Sequence, residues 1–228
     1  VLGTSIASRL PIVRKAASYV EQASLPMPDR LKIYNLLTRL GTNGVLTPEL
    51  LSKVDLESPL RLQREVWHSA HAKNDTNREL AFDWRFTLAE NDLPKVCGTT
   101  RLAEIEVGFP MLDDDLLAFS LRLPIDYKLK GLKLRWFFKE ALRGFLPDEI
   151  ITKKKQGFGL PFGVWVTRND ALRELAADAV FGLVDRNILR REFAEALIAK
   201  HLYEHPGYYG EMIWISMMLE QWLRARFP

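Results

Sequence analysis

The chain has 228 residues, 47% hydrophobic and 27% charged, which is the balance of a globular protein with a sizeable core. A formal net charge of +3 argues against nucleic acid as a partner unless the basic residues cluster on one face, and no stretch reaches the roughly 18 apolar residues that a membrane span needs. The single cysteine, Cys97, excludes an intramolecular disulfide, and residues 1–15 hold no basic segment followed by an apolar run, so a cytoplasmic protein is the simpler expectation.

The dominant period is helical, so the expected fold class is all-α, or nearly so. Residues 9–23 read as one helix with Leu10, Val13, Ala17 and Val20 on one face, broken by Pro26 and Pro28. Asp29 caps a second helix bearing Leu31, Leu36, Leu37 and Leu40, and the Gly41, Asn43, Gly44 cluster ends it. Thr47, Pro48 and Glu49 have the cap, first-turn proline and dipole-matched acid of a helix start. Ser58 and Pro59 open another helix reaching about His71, and the polar residues 72–77 read as a loop.

Residues 78–90 are aromatic-rich and helical in pattern, with Phe82, Phe86 and Leu88 inward, and residues 93–103 form a further helix. Gly108 and Pro110 make residues 105–112 extended or irregular. Asp113, Asp114 and Asp115 then open a helix that Pro124 ends. Residues 134–145 are helical with Trp136, Phe137, Leu142 and Phe145 apolar. Leu146, Pro147, Asp148 and Glu149 start a short helix, and residues 153–159 form a basic, glycine-bearing surface loop. Helices over 164–180, 190–204 and 209–227 complete the chain, with no alternating strand pattern and no repeat.

Several clusters could carry chemistry. The three aspartates at 113–115 suit a divalent cation or, because a helix follows directly, a helix cap with dipole-matched neighbours. His201 and His205 have zinc-compatible spacing but no third ligand nearby, and His205 precedes Pro206, where a cation suits a helix C-terminus. Cys97 has no histidine near it in sequence and reads as a small buried hydrophobe. Trp214, Met217, Met218 and Trp222 form a stripe that reads as core. No metal site is expected. Lys153, Lys154 and Lys155 run into Gln156, Gly157, Phe158 and Gly159. A lysine held at such a turn can reach a phosphate, although a solvated charge run has the same composition.

The ordered motifs resemble the asparagine synthase family. Lys95-Val96, Glu106-Val107, Pro110, Leu112 and Asp113 fall without a gap on its signature KVDRMSMAHSLEVRVPFLD. Ala118-Phe119, Leu123-Pro124, Lys128-Leu129, Phe138-Lys139, Ala141-Leu142 and Leu146 to Ile150 follow the family order. So do the run from Lys155 to Pro161, Trp165, and the tail at 214–223. Two positions depart: Cys97 stands for the family aspartate and Gly108 for the arginine of EVRVP, which puts aspartate in doubt as the acceptor. The pyrophosphate loop SGGxDS, the acidic motif GxGxDE and the glutaminase cysteine do not occur in these residues.

The resemblance implies that residues 1–228 are the C-terminal helical part of one synthetase domain, in a chain beginning just after the acidic motif. Its nucleotide-binding half and glutaminase region would then lie elsewhere in a longer polypeptide. It implies an ATP-dependent amide ligase that adenylates a carboxylate, aspartate or an analogue, for attack by ammonia from glutamine. Related amide-forming cyclases and a non-catalytic helical module are the alternatives. Lys155 takes the position of a phosphate-stabilising lysine, with Gly157 in the same turn, and Glu106 that of an acceptor-side glutamate. ATP and Mg2+ are expected in the intact enzyme and neither on these residues alone. A homodimer is possible, and neither nucleic acid nor membrane is an expected partner.

Overall fold

The computed structural model describes residues 19–20, 23–131, 133–154 and 159–227. The fold is all-α, with two antiparallel two-residue strands among the described residues. The chain divides into two compact units, Val1–Arg64 with Phe158–Pro228, and Glu65–Gly157. Most of the helix expected over 9–23 lies outside the described residues. No helix among the described residues is long and apolar enough to cross a membrane.

The first unit is built from short, well-capped helices around two longer ones. The single helix expected after Asp29 is a 3-10 segment, Asp29–Tyr34, followed by an α-helix, Leu36–Leu40. The Asn35 side chain breaks the run by accepting from the Thr38 N–H at 2.9 Å. Gly41, at φ 85°, closes that helix as expected, but Thr42–Val45 adds a further turn in place of a loop. Thr47 caps Pro48–Lys53 by accepting from the Leu50 N–H at 3.2 Å, matching the expected start. The same threonine donates its N–H to the Ile188 carbonyl at 3.1 Å, and Arg190 N–H donates to the Val45 carbonyl at 2.9 Å, so early and late segments are joined by backbone.

The helix expected over 164–180 is two, Phe162–Arg168 and Asp170–Asp185. Asn169 adopts extended dihedrals between them, and its side chain caps the second by accepting from the Leu172 N–H at 2.9 Å. Ala176, Ala179, Val180 and Leu183 form the buried stripe of that second helix and pack in one cluster with Met212, Ile213 and Met217 of Pro206–Arg226. Gly163 and Gly210 let the Phe162 helix cross the last helix backbone to backbone. A Cβ on Gly163 would lie 1.9 Å from the Pro206 carbonyl oxygen. Glu220, 2% exposed, is held in this interior by Arg186 Nε at 3.0 Å and Arg224 Nε at 2.8 Å. Arg224 reaches on to Asp178 at 2.7 Å.

The expected core stripe of the last helix is only partly core. Met217 is buried, while Trp214, Met218 and Trp222 are exposed. Spacing located a face but not the side that the Asp170 helix covers. That side is Ile213, Ser216, Met217 and Glu220.

In the second unit the expected loop at 72–77 ends at Asn74, and residues 75–77 join the two following helices in one continuous helical run. Asn74 caps Asp75–Asp83, a π-helical segment Trp84–Asp92 follows, and Leu93–Leu102 continues it. Pro94 has no N–H for the ladder, and the widened turns before it carry the backbone past that gap. Trp67 meets Phe82 edge to face at 6.2 Å and Phe82 meets Phe86 at a tilt at 4.6 Å, and Phe119, Phe137, Tyr127 and Trp136 form a second aromatic group. Leu129–Lys130 pairs with Lys133–Leu134 across Gly131, whose φ of 59° the turn requires. The helix expected over 134–145 is only Trp136–Ala141, because Arg135 at φ 56° precedes it and Gly144 at φ 82° lies in the turn that follows. Phe145, expected on an apolar helix face, is 80% exposed.

Candidate functional site

The segment from Leu93 to Asp115 carries the sequence-predicted acid. At the end of Leu93–Leu102 the Glu104 N–H bonds the Arg101 carbonyl and the Ile105 N–H bonds the Thr100 carbonyl, at 3.1 and 2.9 Å. This paired closure is a Schellman motif, and its left-handed position is filled by Glu104 at φ 55° instead of by glycine. The reversal turns residues 105–107 back over the helix end. Cys97, Thr100, Arg101, Glu104, Ile105, Glu106 and Val107 then line one shallow depression of about 360 Å³.

Glu106 is exposed on the wall of this depression, and among the described residues it has no ion-pair partner. Its carboxylate is therefore available to a ligand. The depression also holds one guanidinium and a second carboxylate, Arg101 and Glu104, neither singled out by sequence. They escaped notice because the turn that gathers them has no glycine or asparagine to mark it. Cys97, expected to be buried, is half-buried at the rim. Thr100 sits beside it, its hydroxyl donating to the Val96 carbonyl at 2.8 Å. A Cβ at Gly108 would meet nothing within 4 Å, so neither crowding nor backbone conformation demands glycine there.

The remaining candidates divide. Asp113 is a cap: its Oδ1 accepts from the N–H groups of Asp115 and Leu116 at 3.0 and 3.2 Å, and the helix Asp114–Arg122 follows. His201 stacks on Tyr209 at 4.7 Å with Nδ1 3.0 Å from Glu204. That contact holds the Glu204 carboxyl below the usual glutamate range. His205 stands at the C-terminus of the short helix Leu202–Glu204, as expected, and also opens the next helix. It is the N-cap of Pro206–Arg226, and its Nδ1 accepts from the Tyr208 N–H at 3.1 Å. No group of three metal-ligating side chains occurs among the described residues. Lys153 and Lys154 are exposed at the end of Asp148–Thr152, whereas Lys155 and Gly157 lie outside the described residues. A larger cleft of about 780 Å³ in the same unit, between Trp84 and Lys128, shares no lining residue with the Glu106 depression.

The family model described as asparagine synthase matches residues 6–224. Asparagine synthetase [glutamine-hydrolyzing] 1 of Bacillus subtilis (strain 168) is 22% identical over 167 residues, covering 71% of this chain and 25% of that protein. The chain thus spans about a quarter of the length of the relative it matches. No solved structure matches it.

Proposed function

The chain belongs to the asparagine synthase family, and from that membership we propose that it is the helical C-terminal part of an ATP-dependent amide ligase. The observation that carries this reading is Glu106, without an ion-pair partner among the described residues, set by a closed turn at a ligand-accessible depression, within a match running from residue 6 to 224. In the proposed reaction a carboxylate oxygen of the acceptor attacks the α-phosphorus of ATP and pyrophosphate leaves. Ammonia then attacks the acyl carbon, AMP leaves, and the nitrogen gives up a proton.

Lys155 offsets the charge that builds on the α-phosphate oxygens, a stabilisation strengthened where water is excluded. Glu106 orients the attacking nitrogen and accepts its proton. The acceptor is aspartate or an analogue, and glutamine is the nitrogen source. With thiol and glycine at positions 97 and 108, the acceptor end has lost an acid and a guanidinium relative to the family signature. The described residues offer Mg2+ no group of three ligands. No step here runs through the ion. The nucleotide-binding and glutaminase regions belong to a longer polypeptide in this reading.

A second reading, a helical interaction module on the same scaffold, rests on those two departures. Glu106→Gln in the longer polypeptide separates the two. The ligase reading expects pyrophosphate release to persist while amide product falls roughly a hundredfold, as for the loss of a positioned base. Unchanged amide formation would remove Glu106 from the mechanism. Absence of both products in the parent would favour the module.

A further inference from the structure

The cleft of about 780 Å³ in the second unit falls within the range of about 300–1,000 Å³ that small-molecule sites occupy. It opens between two stretches of chain, residues 70–84 and residues 120–128. Leu80 and Trp84 line it from the first stretch, and Leu121, Leu123 and Ile125 from the second, so its body is apolar. Leu80 and Trp84 are each 41% exposed and Leu121 is 63% exposed, which leaves that apolar lining open to an entering molecule.

The charge in the cleft is of one sign. Lys73, Lys128 and His71 line it, and no aspartate or glutamate does. Lys128 is half-buried, and its Nζ donates to Asn77 Oδ1 at 2.9 Å, a bond that ties the two stretches together. Among the described residues neither lysine has an ion-pair partner. Acids on the same elements do not serve them. Asp75 is paired with Arg78 at 3.1 Å, and Asp126 is exposed outside the lining. The neutral Asn77 amide orients the Lys128 ammonium without balancing its charge, and two of its three N–H donors remain for a ligand. A cation partly withdrawn from water with no counter-ion favours an entering anion. The same lining discriminates against other classes. An ammonium ligand finds only like charge, and a second carboxylate is stranded against the apolar walls.

We propose that this cleft binds an amphipathic monocarboxylate, with the carboxylate on Lys128 Nζ and the hydrocarbon part against Leu80, Trp84 and Leu121. The site shares no residue with the Glu106 depression and does not depend on the ligase reading.

The test is an NMR titration of the 228-residue chain with octanoate, with octan-1-ol as the chain alone and acetate as the head alone. Octanoate is expected to saturate the cleft at about 1 mM or below. It should shift the Trp84 indole N–H, identified as the signal that Trp84→Phe removes. Octan-1-ol and acetate should each bind at least about tenfold more weakly. Lys128→Met keeps the length of the side chain and removes its charge. It should weaken octanoate about tenfold or more and leave octan-1-ol unchanged. Leu121→Glu sets a like charge in the cleft from an exposed position that the fold does not need, and should weaken octanoate at least as much. A parent whose Trp84 signal octanoate does not move overturns the proposal, as does octanoate binding no tighter than octan-1-ol. Octanoate affinity that either variant leaves unchanged overturns it too. Aspartate moving the Trp84 signal as strongly as octanoate would overturn the ligand class.

Discussion

The two units of the chain spend their apolar residues differently. In the first, the helices Asp170–Asp185 and Pro206–Arg226 close over a continuous interior containing Val166, Ala176, Val180, Leu183, Leu197, Leu202 and Ile213, each at most 1% exposed. Among the described residues of Glu65–Gly157 the buried apolar side chains are Trp67, Phe82 and Ile151. Leu102, Ile105, Met111, Leu121, Leu134 and Phe145 are all more than 60% exposed. The first unit has a continuous buried helical interior. The second leaves many of its large apolar side chains exposed. Glu106 lies in that second unit.

The difference is open to mutation, most severely in the interior of the first unit. Glu220→Ala removes the buried acid shared by two partly exposed arginines and should cost about 2–4 kcal/mol, read by chemical denaturation. A loss below about 1 kcal/mol would mean that water reaches the network. Leu183→Ala should cost about 2–5 kcal/mol as a cavity in close-packed surroundings. Phe145→Ser, an equally drastic change of character in the second unit, should stay within about 0.5 kcal/mol. Equal costs for these last two would erase the contrast between the units.

Glu104→Gly relieves a side chain held in the left-handed region and should stabilise the turn beside Glu106 by about 0.5–1 kcal/mol. The same denaturation assay reads it, and destabilisation would mean that the Glu104 carboxylate holds the depression together. The smallest effect belongs to Glu204. Its lowered pKa contributes stability that is complete above the ordinary glutamate range and is lost as pH falls through the lower, folded-state value. The parent should therefore lose more melting temperature than His201→Ala as the solution is acidified through that range. Parallel pH profiles would deny the His201 contact any role.

Local signals were the legible ones. Thr47 and Asp113 stand as caps in the sequence because a cap needs only its own first turn. Asn35 and Asn169 are caps as well, but each lies inside an apolar period that continues across it, and the period suggested unbroken helices. The Schellman turn beside Glu106 was invisible for the opposite reason: Glu104 occupies a position where glycine is the usual mark. Spacing revealed the Trp214, Met218, Trp222 strip but not its side, since a helix with two apolar faces gives the same period for both. At the candidate site, motif order pointed to Glu106, while its neighbours Arg101 and Glu104 emerge only from the fold.

The family reading bears most heavily on Lys155, and pyrophosphate release by the longer polypeptide, compared among Lys153→Ala, Lys154→Ala and Lys155→Ala, tests it most directly. Loss of one preorganised charge at a transferring phosphate costs about 3 kcal/mol or more. Lys155→Ala is therefore expected to slow release roughly a hundredfold or more, with its two neighbours close to the parent. Near-parent release by Lys155→Ala, whatever its neighbours do, would contradict the account.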